Sequence, residues 1–297
     1  MASLPKVLPK LPAKAQYLYI NNAAKRNALS LSILRDLKSQ LRKHTANLSL
    51  PPFDPSQVHT LPKTHPWLVN PAAWSSSFTS PISVLVLRSS GPVFSSGHDL
   101  SELRSLSHHD RKEIFDECAE LMRLIRASPI PVVCAVQGLA TAAGAQLALS
   151  ADITIARAGT EFQLPGMTIG VPCTSPVTAV SRRIGPSAAY RMFATAEKVR
   201  ARDLGGEVVD MVRDEEGEEG FERRVAETLE RLVQMPGQPQ AFGKWAFWTQ
   251  AGMKGMGDGY EEAAGWAATV MAMHMDGGEA EEGVGAFLGK RKPVWST

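Results

Sequence analysis

The chain has 297 residues, with 32 Lys+Arg against 30 Asp+Glu and a formal net charge of +2. Hydrophobic residues make up 44% and charged residues 21%, ordinary globular usage that excludes wholesale disorder and leaves material for a large core. Three cysteines (Cys118, Cys134, Cys173) with no CxxC pair argue against a disulfide framework or a thiolate zinc site, and for a reducing compartment.

The first 35 residues carry six basic side chains and no acid, in the manner of a mitochondrial transit peptide. No apolar h-region follows SLPKVLPKLPAK, so a secretory signal is not expected, and localisation stays open between mitochondrion and cytoplasm. No window of 18 apolar residues exists, so no membrane span is expected.

Residues 17–20 read as a strand, and Leu31, Leu34, Leu37 and Leu41 predict a helix over 30–43. Residues 44–80 change character, with prolines at 51, 52, 55, 62, 66 and 71, many Ser and little periodicity, and read as an inserted loop. Ile82–Leu87 is a buried-strand run, followed by a helix over 111–127 that stops at Ser128-Pro129. Then come a strand (131–136), a helix (144–150) and a strand (152–156), and this alternation predicts an α/β class. From 214 the chain turns acidic and helical, with a helix over 221–233. The last 60 residues, with Trp245, Trp248 and Trp266, read as helices packing on another surface.

Several signals are weak. Ser96-Gly-His98-Asp99 holds triad residue types, but sequence neighbours do not converge their side chains. Gly255-Met-Gly257-Asp-Gly259 follows no strand and lacks a phosphate-loop Lys. His59 and His65 in the Pro-rich loop, and His108-His109 in a polar turn, have no acid or Cys at ligand spacing, so no metal is expected. Asn47-Leu-Ser49 is a sequon without a secretory signal.

Two segments carry more. In Gly91-Pro-Val-Phe-Ser-Ser-Gly-His-Asp-Leu-Ser-Glu-Leu103 a strand region runs out into Ser-Ser-Gly, with Asp99 and Glu102 at capping-box-like spacing. In Pro131-Val-Val-Cys-Ala-Val-Gln-Gly-Leu-Ala-Thr-Ala-Ala-Gly-Ala-Gln-Leu147 a strand passes through small residues into a helix whose first N–H groups are free. Facing each other, two such loops make a two-donor hole for a carbonyl that becomes an enolate. Either alone is only a tight strand-to-helix turn.

Together, in this order, they resemble the crotonase (enoyl-CoA hydratase/isomerase) superfamily. Further matches are Lys25-Arg-Asn-Ala-Leu29, Ala151-Asp152-Ile153, Phe162 through Gly170 and the Phe-Leu-Gly-Lys-Arg-Lys-Pro-Val-Trp ending at Trp295. The resemblance covers about 17–43 and 81–297. It implies an α/β fold with a ββα spiral core over 17–228, interrupted by the 44–80 insert, an N-terminal extension over 1–16, and a helical region over 229–297 that packs homotrimers or hexamers. The implied ligand is an acyl-CoA thioester, with no further cofactor. By position, the oxyanion donors are the main-chain N–H groups of His98 and Ala143. Lys25 and Arg26 fall near the CoA nucleotide and His98, Asp99, Leu100 and Ser101 along the pantetheine passage, with Ala28, Ser96, Ala143 and Gly166 as further substrate-binding positions.

The departures matter more. Hydratases of this family use two glutamates, and these fall on Gln146 and Gly166, neither of which can do general acid–base work. Gln146 can still orient a water. Some isomerases carry their acid at the position of Cys173, where a thiol in an apolar pocket titrates high, so a small buried pocket residue is the plainer reading. Hydration is therefore expected to be weak or absent, and installing glutamates at both Gln146 and Gly166 tests the site logic: if hydration appears, the missing carboxylates were the reason for its absence. Gly-His-Asp and the Gly-Val-Pro before Cys173 also resemble the family's methylmalonyl-CoA-type decarboxylases, in which loss of CO₂ itself delivers the enolate. A non-catalytic acyl-CoA sensor or assembly partner is the third reading.

The net charge hides segregation: residues 1–50 sum to +8 and residues 201–297 to −8. The basic end contains Lys25 and Arg26, so a small polyanion is favoured as partner. Nucleic acid is not, because basic and aromatic residues do not interleave.

Overall fold

The computed structural model describes residues 8–45, 48, 50–51, 55–251, 278–279, 282, 286 and 289–296. Asn47, Gly255 through Gly259 and Trp266 lie outside them. The chain divides into two compact units, a larger one of Met1–Lys43, Val84–Arg126 and Val132–Leu232 and a smaller one of His44–Ser83, Ala127–Pro131 and Val233–Thr297.

Among the described residues, the larger unit holds eight strands: β1 (Ala15–Ile20), β2 (Val84–Ser89), β3 (Val132–Val136), β4 (Leu139–Thr141), β5 (Ile153–Arg157), β6 (Glu161–Gln163), β7 (Lys198–Arg200) and β8 (Asp210–Val212). Five form a wholly parallel sheet in the order β1-β2-β3-β5-β8. Every residue of β2 and β3 is buried, which is why both read as nearly continuous apolar runs rather than alternating ones. The second sheet has the order β4-β6-β7, with β4 and β6 parallel and β7 antiparallel. Short β4 follows β3 after only Gln137 and Gly138, so one chain segment passes directly from the first sheet to the second.

The first helices in chain order are α1 (Leu31–Thr45), α2 (Leu61–Thr64), α3 (Pro71–Ser77), α4 (Leu100–Ser105), α5 (His108–Arg126) and α6 (Ala143–Ser150). After them come α7 (Pro176–Ile184), α8 (Pro186–Thr195), α9 (Ala201–Leu204), α10 (Gly217–Val233) and α11 (Gly237–Ala251). On α1, Leu34, Leu37 and Leu41 are buried, as their spacing requires, and on α5 so are Ile114, Cys118, Leu121, Met122 and Ile125. All three cysteines are unpaired.

Three expectations are corrected. His108 and His109 are the first residues of α5 rather than a turn. The helix starts early because Ser107 Oγ accepts from Asp110 N (3.2 Å) and donates to the Asp110 carboxylate (2.7 Å). Strand β2 runs through Arg88 instead of stopping before it, because the α10 residue Glu222 receives the buried guanidinium with both carboxylate oxygens. The 44–80 segment is not a structureless loop. It holds 3₁₀ turns (Pro55–Thr60, Pro66–Leu68), α2 and α3, and buries Val58, Leu61, Trp67, Leu68, Trp74 and Phe78. Prolines at the first positions of these turns start them, and each piece is too short to show a period. Within the smaller unit, Gln238 of α11 donates to the Leu68 carbonyl, and Gly237 sits where a Cβ would meet the Trp74 ring at 3.3 Å.

Among the described residues no helix is long and apolar enough to cross a membrane, and no group of three or more His, Cys, Asp or Glu is placed to hold a metal ion.

Candidate functional site

The segment after β2 turns back at Gly91 and reaches Ser95-Ser96-Gly97-His98. Two neighbouring stretches hold it. Leu29 N donates to Gly97 O (2.8 Å), Ser96 N to Arg26 O (3.0 Å) and Thr141 N to Ser95 O (3.0 Å). The Ser95 hydroxyl donates to Asn27 O (2.8 Å) and accepts from Gly97 N (3.2 Å). Asn27 is itself buried in the left-handed region (φ 54°), with its amide donating to Ser90 O and Val93 O and accepting from Asn22 N. Asn tolerates that conformation better than most residues.

The second loop is the passage from β4 into α6. Ala142 has φ 49° and ψ −122°, an unfavourable geometry for alanine, and is pinned by its N–H on Gln163 O (2.9 Å) and its carbonyl on Gln146 N (3.0 Å). The strained turn brings Ala143 N, the first of α6, close to Gly97 of the other loop. The two loops meet without side chains between them. A Cβ on Gly97 (φ 83°) would stand 2.9 Å from Ala142 Cβ and 3.3 Å from Ala143 N, and one on Gly144 would stand 2.6 Å from Ser95 O. Glycine is required at both positions for this approach.

Two donors are left over. Neither the main-chain N–H of His98 nor that of Ala143 donates a hydrogen bond to any described residue, and Ala143 is fully buried. Buried main-chain donors are rarely left unpaired. The His98 ring lies against Phe115 (centroids 5.2 Å apart, 88°), with Nδ1 3.3 Å from Leu29 O. Burial holds its pKa below the ordinary histidine value, partly offset by that carbonyl.

Gln146 lies one turn after Ala143 on α6, hence on the same face. It is buried, and its amide meets the Ser175 hydroxyl at the start of α7 (Nε2 to Oγ, 3.2 Å). Gly166 is the second residue of the 3₁₀ turn after β6 (Pro165–Ile169), and its N–H donates to Cys173 Sγ (3.2 Å). Cys173 is buried, which pushes its thiol pKa up. Gln146, Ser175, Gly166 and Cys173 bring no carboxylate.

The Ser96-His98-Asp99 run does not make a triad. The Asp99 carboxylate caps α4, accepting from Ser101 N (3.1 Å) and Glu102 N (3.2 Å), and also takes Lys25 Nζ at 2.8 Å. The Lys25 ammonium and these caps hold Asp99 below the usual carboxylate range. Glu102 does not close a capping box, because its carboxylate reaches Leu31 N instead. Lys25 and Arg26 are exposed, Ala28 is buried, Ser96 is half-buried, and Leu100 and Ser101 are exposed on the first turn of α4. Asn27, Ser95 and Ser175 hold this arrangement together and were missed from the sequence. Only Asn27 had a signal, as the one residue of Lys25-Arg-Asn-Ala-Leu29 suited to a left-handed turn.

Residues 78–297 match the enoyl-CoA hydratase/isomerase family model. The chain is 31% identical over 299 residues to enoyl-CoA hydratase domain-containing protein 3, mitochondrial, of Rattus norvegicus, covering 98% of this chain and 86% of that one. It is 33% identical over 285 residues to the Danio rerio protein of the same name, covering 94% and 83%. Among solved structures, a Mycobacterium smegmatis enoyl-CoA hydratase superposes with a TM-score of 0.77 at 29% identity, covering 99% of this chain and all of that one. The human enoyl-CoA hydratase domain-containing protein 3 superposes at 0.73 with 29% identity, covering 96% and 98%. With its α/β fold and these matches, the chain belongs to the enoyl-CoA hydratase/isomerase family and has the crotonase fold.

Proposed function

We propose that the protein binds an acyl-CoA thioester and polarises its carbonyl between the main-chain N–H groups of His98 and Ala143, with enoyl-CoA hydration weak or absent. The observation that carries this reading is the pair of N–H groups left without acceptors where two glycine-lined loops meet. Fixed donors in a buried setting stabilise the charge of an enolate oxygen strongly, because they need no reorganisation. Gln146 and Gly166 stand at the family's glutamate positions, and the groups around them offer an amide, a hydroxyl and a thiol raised by burial. None of these is a base near neutral pH.

Lys25 and Arg26, beside Ala28, are the groups for the nucleotide phosphates, and Lys25 exchanges Asp99 for a phosphate when CoA arrives. Ser96, Asp99, Leu100 and Ser101 border the pantetheine passage. The relatives named as mitochondrial support a mitochondrial location, and homotrimers or hexamers are the assembly the resemblance suggests.

Decarboxylation of a malonyl-type thioester is the second reading, favoured by Gly166, where the surrounding backbone leaves no space for a side chain and hence for a base. The test is native mass spectrometry after incubation with a mixed acyl-CoA pool, followed by product analysis. The proposal expects a retained CoA ester and no 3-hydroxyacyl product from crotonyl-CoA. Absence of any retained ester, or hydration at the rate of an ordinary family hydratase, overturns it. CO₂ from malonyl-type thioesters selects the second reading, and a retained ester with no product from any thioester selects a sensor role.

A further inference from the structure

We propose that α4 is a strap latched in place by Lys25 on Asp99, and that a phosphate taken up by Lys25 releases it. This inference rests on the reading above that sets CoA's phosphates at Lys25. None of the six residues of α4 is buried, and Leu100 at its start is exposed. So short a helix does not hold itself together in water. Its place in the fold depends on polar ties.

Most of those ties run to one stretch of chain, residues 25–31. The Asp99 carboxylate divides its oxygens between the helix and that stretch. Oδ1 accepts from Ser101 N (3.1 Å) and Glu102 N (3.2 Å), and Oδ2 takes Lys25 Nζ (2.8 Å). One turn later the Glu102 carboxylate accepts from Leu31 N (3.2 Å). From α5, Arg111 Nε donates to the Leu103 carbonyl (2.7 Å). The main chain before His98 is fixed separately, by Ser96 N on Arg26 O and Leu29 N on Gly97 O. Asp99 therefore stands between a fixed loop and a helix free to move.

The latch is asymmetric. Only 8% of the Asp99 side chain is exposed, against 65% of Lys25. The Lys25 ammonium already faces water, and a phosphate can meet it there. Near neutral pH a phosphate carries more negative charge than one carboxylate, so it wins the ammonium. Asp99 is then a shielded carboxylate without its cation, and it gains by turning outward into water. Turning outward surrenders the caps on Ser101 and Glu102, and with them the first turn of α4. The nucleotide end thus docks first, α4 loosens, and Leu100 and Ser101 clear the way for the pantetheine arm.

The experiment is amide hydrogen exchange over residues 100–106 in wild type, Lys25→Ala and Asp99→Asn, with and without adenosine 3′,5′-bisphosphate. Wild-type exchange should rise about threefold on adding the nucleotide, the scale of one solvent-facing ion pair, while α5 stays unchanged. Lys25→Ala should start at the raised rate and respond no further. Asp99→Asn caps a helix as well but has no charge to expel, so it should match unliganded wild type under both conditions. A wild-type rate that stays level or falls with nucleotide bound overturns the inference and leaves the acyl-CoA reading standing. So does a Lys25→Ala variant as slow as wild type, or an Asp99→Asn variant that responds as wild type does. Nucleotide that fails to bind wild type in calorimetry overturns both the inference and the placing of CoA's phosphates at Lys25.

Discussion

The Gly166 N–H donates to Cys173 Sγ across 3.2 Å, and a Cβ built on Gly166 would stand only 2.8 Å from that sulfur. It would also overlap the Val171 carbonyl oxygen, whose neighbouring N–H closes the loop onto Gly166 O at 2.9 Å. At Gly166, proposed above to stand where the family's second glutamate would be, there is therefore no room for a side chain. The loop from Pro165 to Cys173 is closed over the place where one would be, and Cys173 fills it.

Gly166→Ala accordingly destabilises the protein by about 1–3 kcal/mol, the usual range for overpacking, read as a shift in urea midpoint at unchanged slope. Gly166→Glu destabilises further and does not create a hydratase, alone or with Glu at position 146. A Gly166→Ala variant as stable as wild type would show that the loop yields freely.

Gln146→Glu behaves differently, because it preserves shape at a site that already holds a polar partner in Ser175. A positioned general base contributes on the order of 10²–10⁴ in rate. Crotonyl-CoA hydration by this variant should exceed that of wild type by about a hundredfold, followed by loss of enoyl absorbance. No gain in a folded variant that still binds the ester would mean that Gln146 does not face the acyl chain.

Arg88 is almost wholly buried in β2, with Glu222 across it, Glu218 at 3.7 Å and the Phe221 ring 5.2 Å below the guanidinium. Removing one partner of such a pair strands a buried charge. Glu222→Ala should cost about 3 kcal/mol by chemical denaturation, whereas Arg88→Leu with Glu222→Leu should change stability little. Equal losses in the single and double variants would contradict this.

His98 titrates below the ordinary histidine value of 6.5 because burial disfavours the imidazolium, and His65 is lowered for the same reason. The unfolded chain therefore binds more protons below about pH 6.5, and stability rises with pH through that window. The contribution is complete above pH 6.5 and is lost as pH falls through the folded-state pKa values. Melting temperatures between pH 5 and 7 should show this slope in wild type and a shallower one in His98→Gln. An unchanged slope would place the effect elsewhere.

Much of the fold was legible because burial leaves a period. The leucines of α1, the apolar face of α5 and the solid apolar runs of β2 and β3 each state which side is hidden. The two loops were legible because close backbone approach admits only small residues, and Gly97 and Gly144 are where it happens. What escaped was whatever depends on distant partners. Arg88 looks like the end of a strand until Glu222, 134 residues later, neutralises it. Ser175 looks like a helix cap until Gln146 takes its hydroxyl. The short turns between Pro55 and Ser77 bury two tryptophans without any stretch long enough to show a helical period.

The most direct measurement is the infrared carbonyl stretch of crotonyl-CoA labelled with ¹³C at the thioester carbon, recorded free and bound to the wild-type protein. The account predicts a stretch shifted to lower frequency by the His98 and Ala143 N–H groups, with the crotonyl double bond persisting through the experiment. An unshifted carbonyl in the bound ester, or prompt conversion to 3-hydroxybutyryl-CoA, would contradict it.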